Sequence, residues 1–481
     1  MIELRPYQHL AIENLRVAIR SCTAGYKRIL LQAATGSGKT IVACEMIRLA
    51  LGKDKRALFI AHRKEIILQS SQKLDAFGID HGIIMASHSR KNNHAVQVAS
   101  IQTLTRRDNP EADLIIIDEC HLSCSASYKQ LIDAYPKAVV IGLTATPVRL
   151  DGRGLGEIYS DIVEVVPMTQ LISEGHLMKP RVFAPFIPDM KNVRTVKGDY
   201  DVTQTSAIMD NKKITGDIVK HWKSNARNHK TIVFASSVAH SKNIVIAFTE
   251  AGISARHLDA TTSASERDKT LAEWRAGKFY VLSNMGLFVE GLDVPDASCC
   301  VLARPTKSVT IYLQAVGRIM RPAPNKTECI ILDHAGLTYE HNLVDAPRKW
   351  SLHGRIKKGK GTAPIMPVYV CEACFFAYSR MEYPNACPEC GLITLQPLPQ
   401  VNASGELVEL TAEKLAWLKE KEKKKSIAEF KAAKTLEQLI ELGKQRGYKP
   451  GWAYKIDADR KEWKENNGNS IHRFAKKPNK H

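Results

Sequence analysis

The sequence predicts an α/β chain with two tandem parallel-sheet domains, followed by a small cysteine-bearing ribbon and a basic, mainly helical tail. Three observations carry that prediction. Short β-branched apolar runs recur at helix-sized intervals between residues 28 and 332, the pattern of strands buried between covering helices. A glycine-rich turn joins an early run to a helical stretch. Behind the last run, four cysteines stand as two CxxC pairs.

At 481 residues the chain exceeds one ordinary core, so more than one domain is expected. The formal charge is +19, and more than half of that surplus lies in residues 341–481. Such asymmetry points to a polyanionic partner, although solubility accounts for part of it. No apolar run reaches the roughly 18 residues of a membrane span, and Met1 is not followed by a basic and then apolar leader. A soluble protein inside a cell, cytoplasmic and without a membrane partner, is the expectation. Seven of the eleven cysteines are scattered through the first 330 residues, which suits reduced thiols rather than a disulfide scaffold.

Residues 7–20 place Tyr7, Leu10, Ala11, Leu15, Ala18 and Ile19 at helical spacing, a helix lying on a sheet. Arg28–Leu31 reads as the first strand. The turn Ala34-Thr35-Gly36-Ser37-Gly38-Lys39-Thr40 follows it, and Ile41–Leu51 is the helix leaving that turn. Glycines let the backbone curl so that N–H groups face phosphate oxygens. Lys39 then reaches the outer phosphates, and Thr40 offers a hydroxyl to Mg²⁺. Ala33 stands where the general fingerprint has glycine. The apolar run Leu114–Ile117 ends in Asp118-Glu119-Cys120-His121. Asp118 is the candidate Mg²⁺ ligand and Glu119 the residue that orients or deprotonates the attacking water. His121 either couples this site to the next segment or closes a turn. Ile141–Leu143 forms a further strand, ending in Thr144-Ala145-Thr146-Pro147, where Thr144 and Thr146 are placed to report on the acidic loop.

After an irregular stretch near 180–210, runs at 230–235, 279–282, 299–303 and 328–332 predict a second parallel sheet without a phosphate loop of its own. In Gln314-Ala315-Val316-Gly317-Arg318-Ile319-Met320-Arg321, the two arginines lie three apart and share a helix face. There they clamp the triphosphate held by the first half, or else pair with surface acids. Gly291 and Asp293 are expected to line the same cleft.

Taken in order, these segments resemble the motor core of superfamily-two helicases and translocases, in the D-E-x-H branch of DNA repair, restriction-type and phage enzymes. Arg5-Pro6-Tyr7-Gln8 resembles that family's adenine-reading motif, with Gln8 the base contact. Residues 34–40 resemble its first motif, Asp118–His121 the second, Thr144–Thr146 the third, Gly291 with Asp293 and Pro295 the fifth, and Gln314–Arg321 the sixth. The resemblance covers about residues 3–335 and implies two RecA-like domains. It also implies arginine fingers at Arg318 and Arg321, a coupling role for Gln314 with His121 and the two threonines, and nucleic acid crossing both halves. His62, Arg63, Thr103, Ser236 and Ser237 are the implied backbone contacts.

Cys371, Cys374, Cys387 and Cys390 are two CxxC pairs separated by twelve residues, a spacing that suits a tetrahedral Zn²⁺ site. Rubredoxin-like iron has the same ligands, but nothing else in the chain suggests redox work. Phe375, Phe376, Tyr378 and Tyr383 are expected to pack a small ribbon core in preference to stacking on bases. Residues 411–442 read as one or two amphipathic helices. The aromatic and basic run around Trp452 and Trp463 either forms a helical hairpin or contacts nucleic acid.

The expected organisation is a first RecA-like domain at 1–170, a connector at 171–210 and a second RecA-like domain at 211–340. A basic linker at 341–365, a Cys₄ ribbon at 366–395 and a basic helical tail at 408–481 follow. The expected function is an ATP-dependent nucleic-acid helicase with Mg²⁺ and Zn²⁺, DNA favoured over RNA by analogy with the family branch. A replication, repair or restriction partner and a prokaryotic or phage-infected host fit the resemblance. A duplex translocase without unwinding and an ATP-switched scaffold are the alternatives.

Overall fold

Burial of whole strands, rather than of alternate residues, organises this protein. In the computed structural model the strand Leu114–Asp118 is buried at every position, as a parallel strand covered on both faces must be. Described residues are 3–23, 25–86, 88, 94–149, 151–185, 187–196, 198–286, 294–354, 368–393, 433–445, 453–454, 456–458 and 461.

The first sheet has seven strands: β1 (Arg28–Gln32), β2 (Ala57–Ala61), β3 (Gly82–Ile84), β4 (Val96–Ser100), β5 (Leu114–Asp118), β6 (Val139–Thr144) and β7 (Asp161–Glu164). Their order is β3-β4-β2-β5-β6-β1-β7, and all pairings are parallel. The helices are α1 (Pro6–Ser21), α2 (Lys39–Leu51), α3 (Lys64–Ala76), α4 (Ile101–Leu104), α5 (Ala126–Asp133) and α6 (Met168–Ser173). Pro6 opens α1, where its missing N–H costs nothing. Ile29, Leu31, Phe59 and Ile116 face one side of the sheet, against α1, α2 and α3. Leu30, Leu58, Ile115 and Ile117 face the other, with Tyr128 and Ile132 of α5. Ile116→Ala would empty a fully buried site and cost about 2–5 kcal/mol.

The stretch read as an irregular connector is ordered into β8 (Arg181–Phe183), a hairpin of β9 (Thr195–Val196) and β10 (Asp199–Tyr200), and α7 (Val202–Met209). It is followed by α8 (Lys212–Asn225), β11 (Thr231–Ala235), α9 (Val238–Glu250), β12 (Ala255–Leu258), α10 (Ala264–Arg275), β13 (Val281–Asn284), β14 (Cys299–Ala303), α11 (Val309–Gly317), β15 (Ile330–Asp333) and α12 (Leu337–His341). The second sheet runs β12-β13-β11-β14-β15-β8, again parallel. The connector thus supplies its edge strand. Three residues of Arg-Val-Phe are too short to announce a strand in sequence, and pairing with β15 is what makes them one.

Two short antiparallel strands, β16 (Val368–Val370) and β17 (Ala377–Ser379), flank the first cysteine pair, and the second pair follows β17. Residues 1–396 form one compact unit. The second unit, 397–481, contains a helix over Leu436–Gln445 whose Leu439 is buried with Ala433 and Ala453. Residues 355–365 of the basic linker expected at 341–365, the apolar positions at 415–430, Trp452, Trp463 and the basic end lie outside the described residues.

Candidate active site

The phosphate loop leaves β1 next to β6, and Ala33 N–H donates to Thr144 O at 3.0 Å. Gly36 and Gly38 adopt φ of 87° and 83°, a region that side chains rarely tolerate. Lys39 starts α2, and its Nζ donates to Ala33 O at 3.2 Å. Burial pushes the Lys39 pKa down, the Glu119 and Asp118 carboxylates oppose this, and Arg321 and Arg318 add to the lowering. The Glu119 and Asp118 carboxylates supply the anionic company that a desolvated ammonium requires.

Gln8 and Tyr7 hold the loop from outside. Tyr7 Oη donates to Ser37 O at 2.8 Å and Gln8 Nε2 to the same oxygen at 3.3 Å, while Gln8 Oε1 accepts from Arg5 N. Ser37 Oγ is buried without a hydrogen-bond partner. Thr35, Gly36 and Thr40 sit at the open side of the loop, half-buried, and Ala34 is buried beneath it.

Asp118 closes β5 and accepts from Glu119 N–H at 3.0 Å. Its pKa is raised to about 6, chiefly by burial and next by the charge of Glu119, against the pull of Lys39. Glu119 takes a left-handed conformation, φ 49°, which brings its carboxylate to 3.2 Å from His121 Nδ1. A non-glycine residue is held there only where its surroundings over-determine it. Thr144 Oγ1 accepts from Thr146 N and donates to Thr146 O, both at 3.1 Å. Thr146 Oγ1 is buried without a partner.

The second sheet delivers its arginines to this loop. A Cβ built on Gly317 would lie 2.5 Å from Thr35 Cβ, and one built on Gly36 would lie 3.4 Å from Arg321 Cγ. Arg318 is buried, and so is Gln314, whose Nε2 has no hydrogen-bond partner. The structure therefore brings together residues 34–40, Gln8, Asp118, Glu119, His121, Thr144, Thr146, Arg318 and Arg321, with Gln314 buried in α11 four residues before Arg318. Gly291 and Asp293 lie outside the described residues.

Three contributors carried no sequence signal. Leu177 packs on Gly36, and Met178 N–H donates to Met320 O at 2.8 Å. Lys326 Nζ donates to Arg321 O at 2.8 Å and Pro295 O at 3.0 Å, and also to Ile319 O. Burial lowers the Lys326 pKa to about 8. The Ile319 and Arg321 carbonyls lie beyond the end of α11, so Lys326 braces the turn that carries Arg318 and Arg321.

On the strand-end face, Gln102 Nε2 donates to His62 O at 3.0 Å and Arg63 Nε to His62 Nε2 at 3.3 Å. This gathers His62, Arg63 and the neighbouring Thr103 at the ends of β2 and β4. Ser237 caps α9 by accepting from His240 N and also accepts from Ser206 Oγ at 2.6 Å. Ser236 is buried, and its hydroxyl lies 2.7 Å from His240 Nδ1. A further network joins Ser241 Oγ to His257 Nδ1 at 2.7 Å and His257 Nε2 to Asp259 Oδ2 at 2.9 Å. The order suggests a nucleophilic triad, but Ser241 is wholly buried and also bonds Ser283, so the network ties β12, β13 and α9 together.

The four Sγ atoms of Cys371, Cys374, Cys387 and Cys390 lie within 4.8 Å of one another. Cys371–Cys390 is 3.5 Å and Cys374–Cys387 is 3.7 Å, close to the roughly 3.8 Å edge of a tetrahedron with Zn–S bonds of about 2.3 Å. The donor set fits a thiolate-bound metal.

Comparison with known proteins agrees with this geometry. Residues 1–149 match the family described as type III restriction enzyme, res subunit, and 211–323 match the helicase conserved C-terminal domain. A 51.5 kDa protein of a Lactococcus phage is 32% identical over 419 residues, covering 87% of this chain and 88% of its own. The candidate ATP-dependent helicase IRC3 of Saccharomyces cerevisiae is 32% identical over 72% of this chain, which spans only 53% of that relative. A fragment of an HsdR-type subunit of a Vibrio vulnificus type I restriction enzyme shares the fold, with a TM-score of 0.54 at 24% identity over 70% of this chain and 65% of its own. Two RecA-like sheets, a phosphate loop met by arginines from the second sheet, and these matches together place the chain in the superfamily-two helicase family of ATP-dependent motors, resembling its phage, restriction and repair members.

Proposed function

We propose that the chain is a DNA-stimulated ATPase that couples hydrolysis to movement along a strand and to its unwinding. The observation that carries this reading is the composite site, in which Gly317 and Arg321 of the second sheet lie against Thr35 and Gly36 of the first. A site completed only when two bodies meet makes closure a condition of turnover.

In this reading Lys39 and the N–H groups of the loop bind the phosphates, and Gln8 reads the base. Thr40 and Asp118 hold Mg²⁺, which when bound neutralises phosphate charge. Glu119, steadied by His121, positions the attacking water and accepts its proton. Arg318 and Arg321 stabilise charge that develops in the closed state. Thr144, Thr146 and Gln314 transmit closure to the strand-end face, where His62, Arg63, Thr103 and the Ser236–Ser237 turn follow the DNA backbone. Ser237 is the better placed of that pair, because the Ser236 hydroxyl points inward to His240. The four cysteines hold Zn²⁺, and the basic tail adds phosphate contacts.

DNA is favoured by family analogy: a Sulfurisphaera tokodaii relative bears the name DNA 3'-5' translocase XPB2, and a fold neighbour is a type ISP restriction-modification enzyme bound to DNA. The word translocase in the first of these names supports a duplex translocase without unwinding as the second reading. Steady-state ATP hydrolysis over single-stranded, duplex and forked DNA and RNA, with Glu119→Gln as the blank, separates them. Stimulation by single-stranded or forked DNA supports the helicase and stimulation by duplex the translocase. Stimulation mainly by RNA would overturn the substrate assignment.

A further inference from the structure

Residues 177–184 touch, one after another, three parts of the molecule that are distant in sequence. Leu177 lies on the phosphate loop, its Cδ2 2.9 Å from a Cβ built on Gly36. Met178 N–H donates to Met320 O, one residue before Arg321. The next residues turn to the cysteine ribbon. Lys179 Nζ pairs with Glu382 at 3.3 Å. Arg181 Nε donates to Glu389 Oε2 at 3.3 Å, and its terminal nitrogens reach Glu389 and Glu328. Phe183 bridges Phe376 in antiparallel register, with ring centroids 5.5 Å apart, and Ala184 N–H donates to Phe375 O at 2.9 Å. Glu389 lies between Cys387 and Cys390, and Phe375 and Phe376 directly follow Cys374.

Two physical features make this more than adjacency. β8 is the edge of the second sheet and only three residues long; an edge so short depends on what covers it. Here the ribbon does. The ribbon's own buried cluster is only Cys371, Tyr378 and Cys387, and a module with so small a core derives its fold from the metal it binds. The exposed ion pairs alone would contribute little, but the main-chain bridge and the Phe183–Phe376 contact fix the register in which they act.

We propose that residues 177–184 form a strap through which the metal-loaded Cys₄ ribbon positions the Met320–Arg321 segment against the phosphate loop, so that metal occupancy sets the rate of ATP hydrolysis. The proposal rests on reading the chain as an ATPase and the cysteines as a Zn²⁺ site. Arg181 is a positioning residue in it, acting through the strap.

The test uses the full chain as isolated, after zinc removal by chelation, and after Zn²⁺ is restored. Zinc per chain, DNA-stimulated kcat, ATP KM and amide exchange of the 177–184 peptide are followed together. Zinc removal should speed exchange in the strap and lower kcat about fivefold or more, with a smaller change in KM, and Zn²⁺ should reverse both. Zinc-loaded Arg181→Ala should lose kcat in the same sense, with faster exchange at 177–184. A zinc-free chain with full kcat and a protected strap overturns the proposal. If the zinc-free chain aggregates, zinc-loaded Arg181→Ala decides, and wild-type kcat with wild-type exchange overturns it. Absence of bound zinc, or of DNA-stimulated hydrolysis in the isolated chain, is a separate result that removes the underlying reading and the strap with it.

Discussion

Gly317→Ala offers a test in which stability and activity should move in opposite directions. Gly317 ends α11 with ordinary helical geometry, so alanine should favour the helix by about 0.5–1 kcal/mol. Across the cleft, however, the new methyl would stand 2.5 Å from Thr35 Cβ and 2.6 Å from its Cγ2. Neither atom is the far end of a flexible side chain, and the cheapest relief is for the two sheets to part. Overpacking of this kind costs about 1–3 kcal/mol. Charged against the closed arrangement alone, that is roughly a 5- to 150-fold loss of the assembled site, at about 1.4 kcal/mol per factor of ten. Expected, then, is a kcat lowered about tenfold or more with the thermal midpoint unchanged or raised. The assay is ATP hydrolysis at saturating DNA, with a melting curve on the same preparation. Turnover within about twofold of wild type would refute the claim that hydrolysis needs Gly317 against Thr35. A fall in melting temperature would instead show that the methyl clashes inside its own domain.

Other expectations follow from the same geometry. Asp118→Asn should abolish turnover yet stabilise the nucleotide-free chain at neutral pH. The folded pKa of about 6 lies above the ordinary 3.8 of an aspartate, so the native state holds the proton longer, and stability falls as pH rises between those values. The gain in melting free energy, on the order of 3 kcal/mol above pH 6, should vanish below about pH 4; no such pH dependence would mean that Asp118 is not buried against Glu119. Arg321→Ala should lower kcat more than it raises ATP KM, because its contact is made by the assembled site; a change in KM alone would place it in ground-state binding. DNA affinity of the full chain should fall steeply with added salt, and salt-insensitive binding would return the positive charge to a role in solubility.

What could be read from the sequence was the chemistry that demands fixed residue types. Gly36, Gly38 and Lys39 must be what they are for a backbone to enclose phosphate, and the long apolar runs of β1, β2, β5, β11 and β14 admit no exposed face. Four cysteines at regular spacing were equally plain. Elements that owe their existence to neighbours were not. β8 is Arg-Val-Phe and β12 is Ala-Arg-His-Leu; each is a strand because β15 or β13 offers a row of unpaired backbone groups. The Ser236 hydroxyl faces inward for a similar reason. His240, one turn into α9, lies within reach, and no local pattern distinguishes the inward serine from the outward one. Leu177 and Met178 carry no chemical signature, since their role is to be in contact with something distant.

The charge balance at the cleft bears on how the two halves would work together. Lys39, Arg318 and Arg321 share a buried space with Asp118 and Glu119, and each arginine lowers the affinity of Lys39 for its proton. Bringing the second sheet to the loop therefore sets the arginines against Lys39 and beside the two carboxylates, in a medium that screens charge poorly. On the proposed reading a triphosphate would add negative charge where the three cations converge, so phosphate would favour closure and its loss would withdraw that gain. A neutral substitution at Arg318 or Arg321 should then weaken nucleotide-driven closure as well as slow turnover, and unchanged closure on nucleotide addition would show that the arginines act on the reacting phosphate alone.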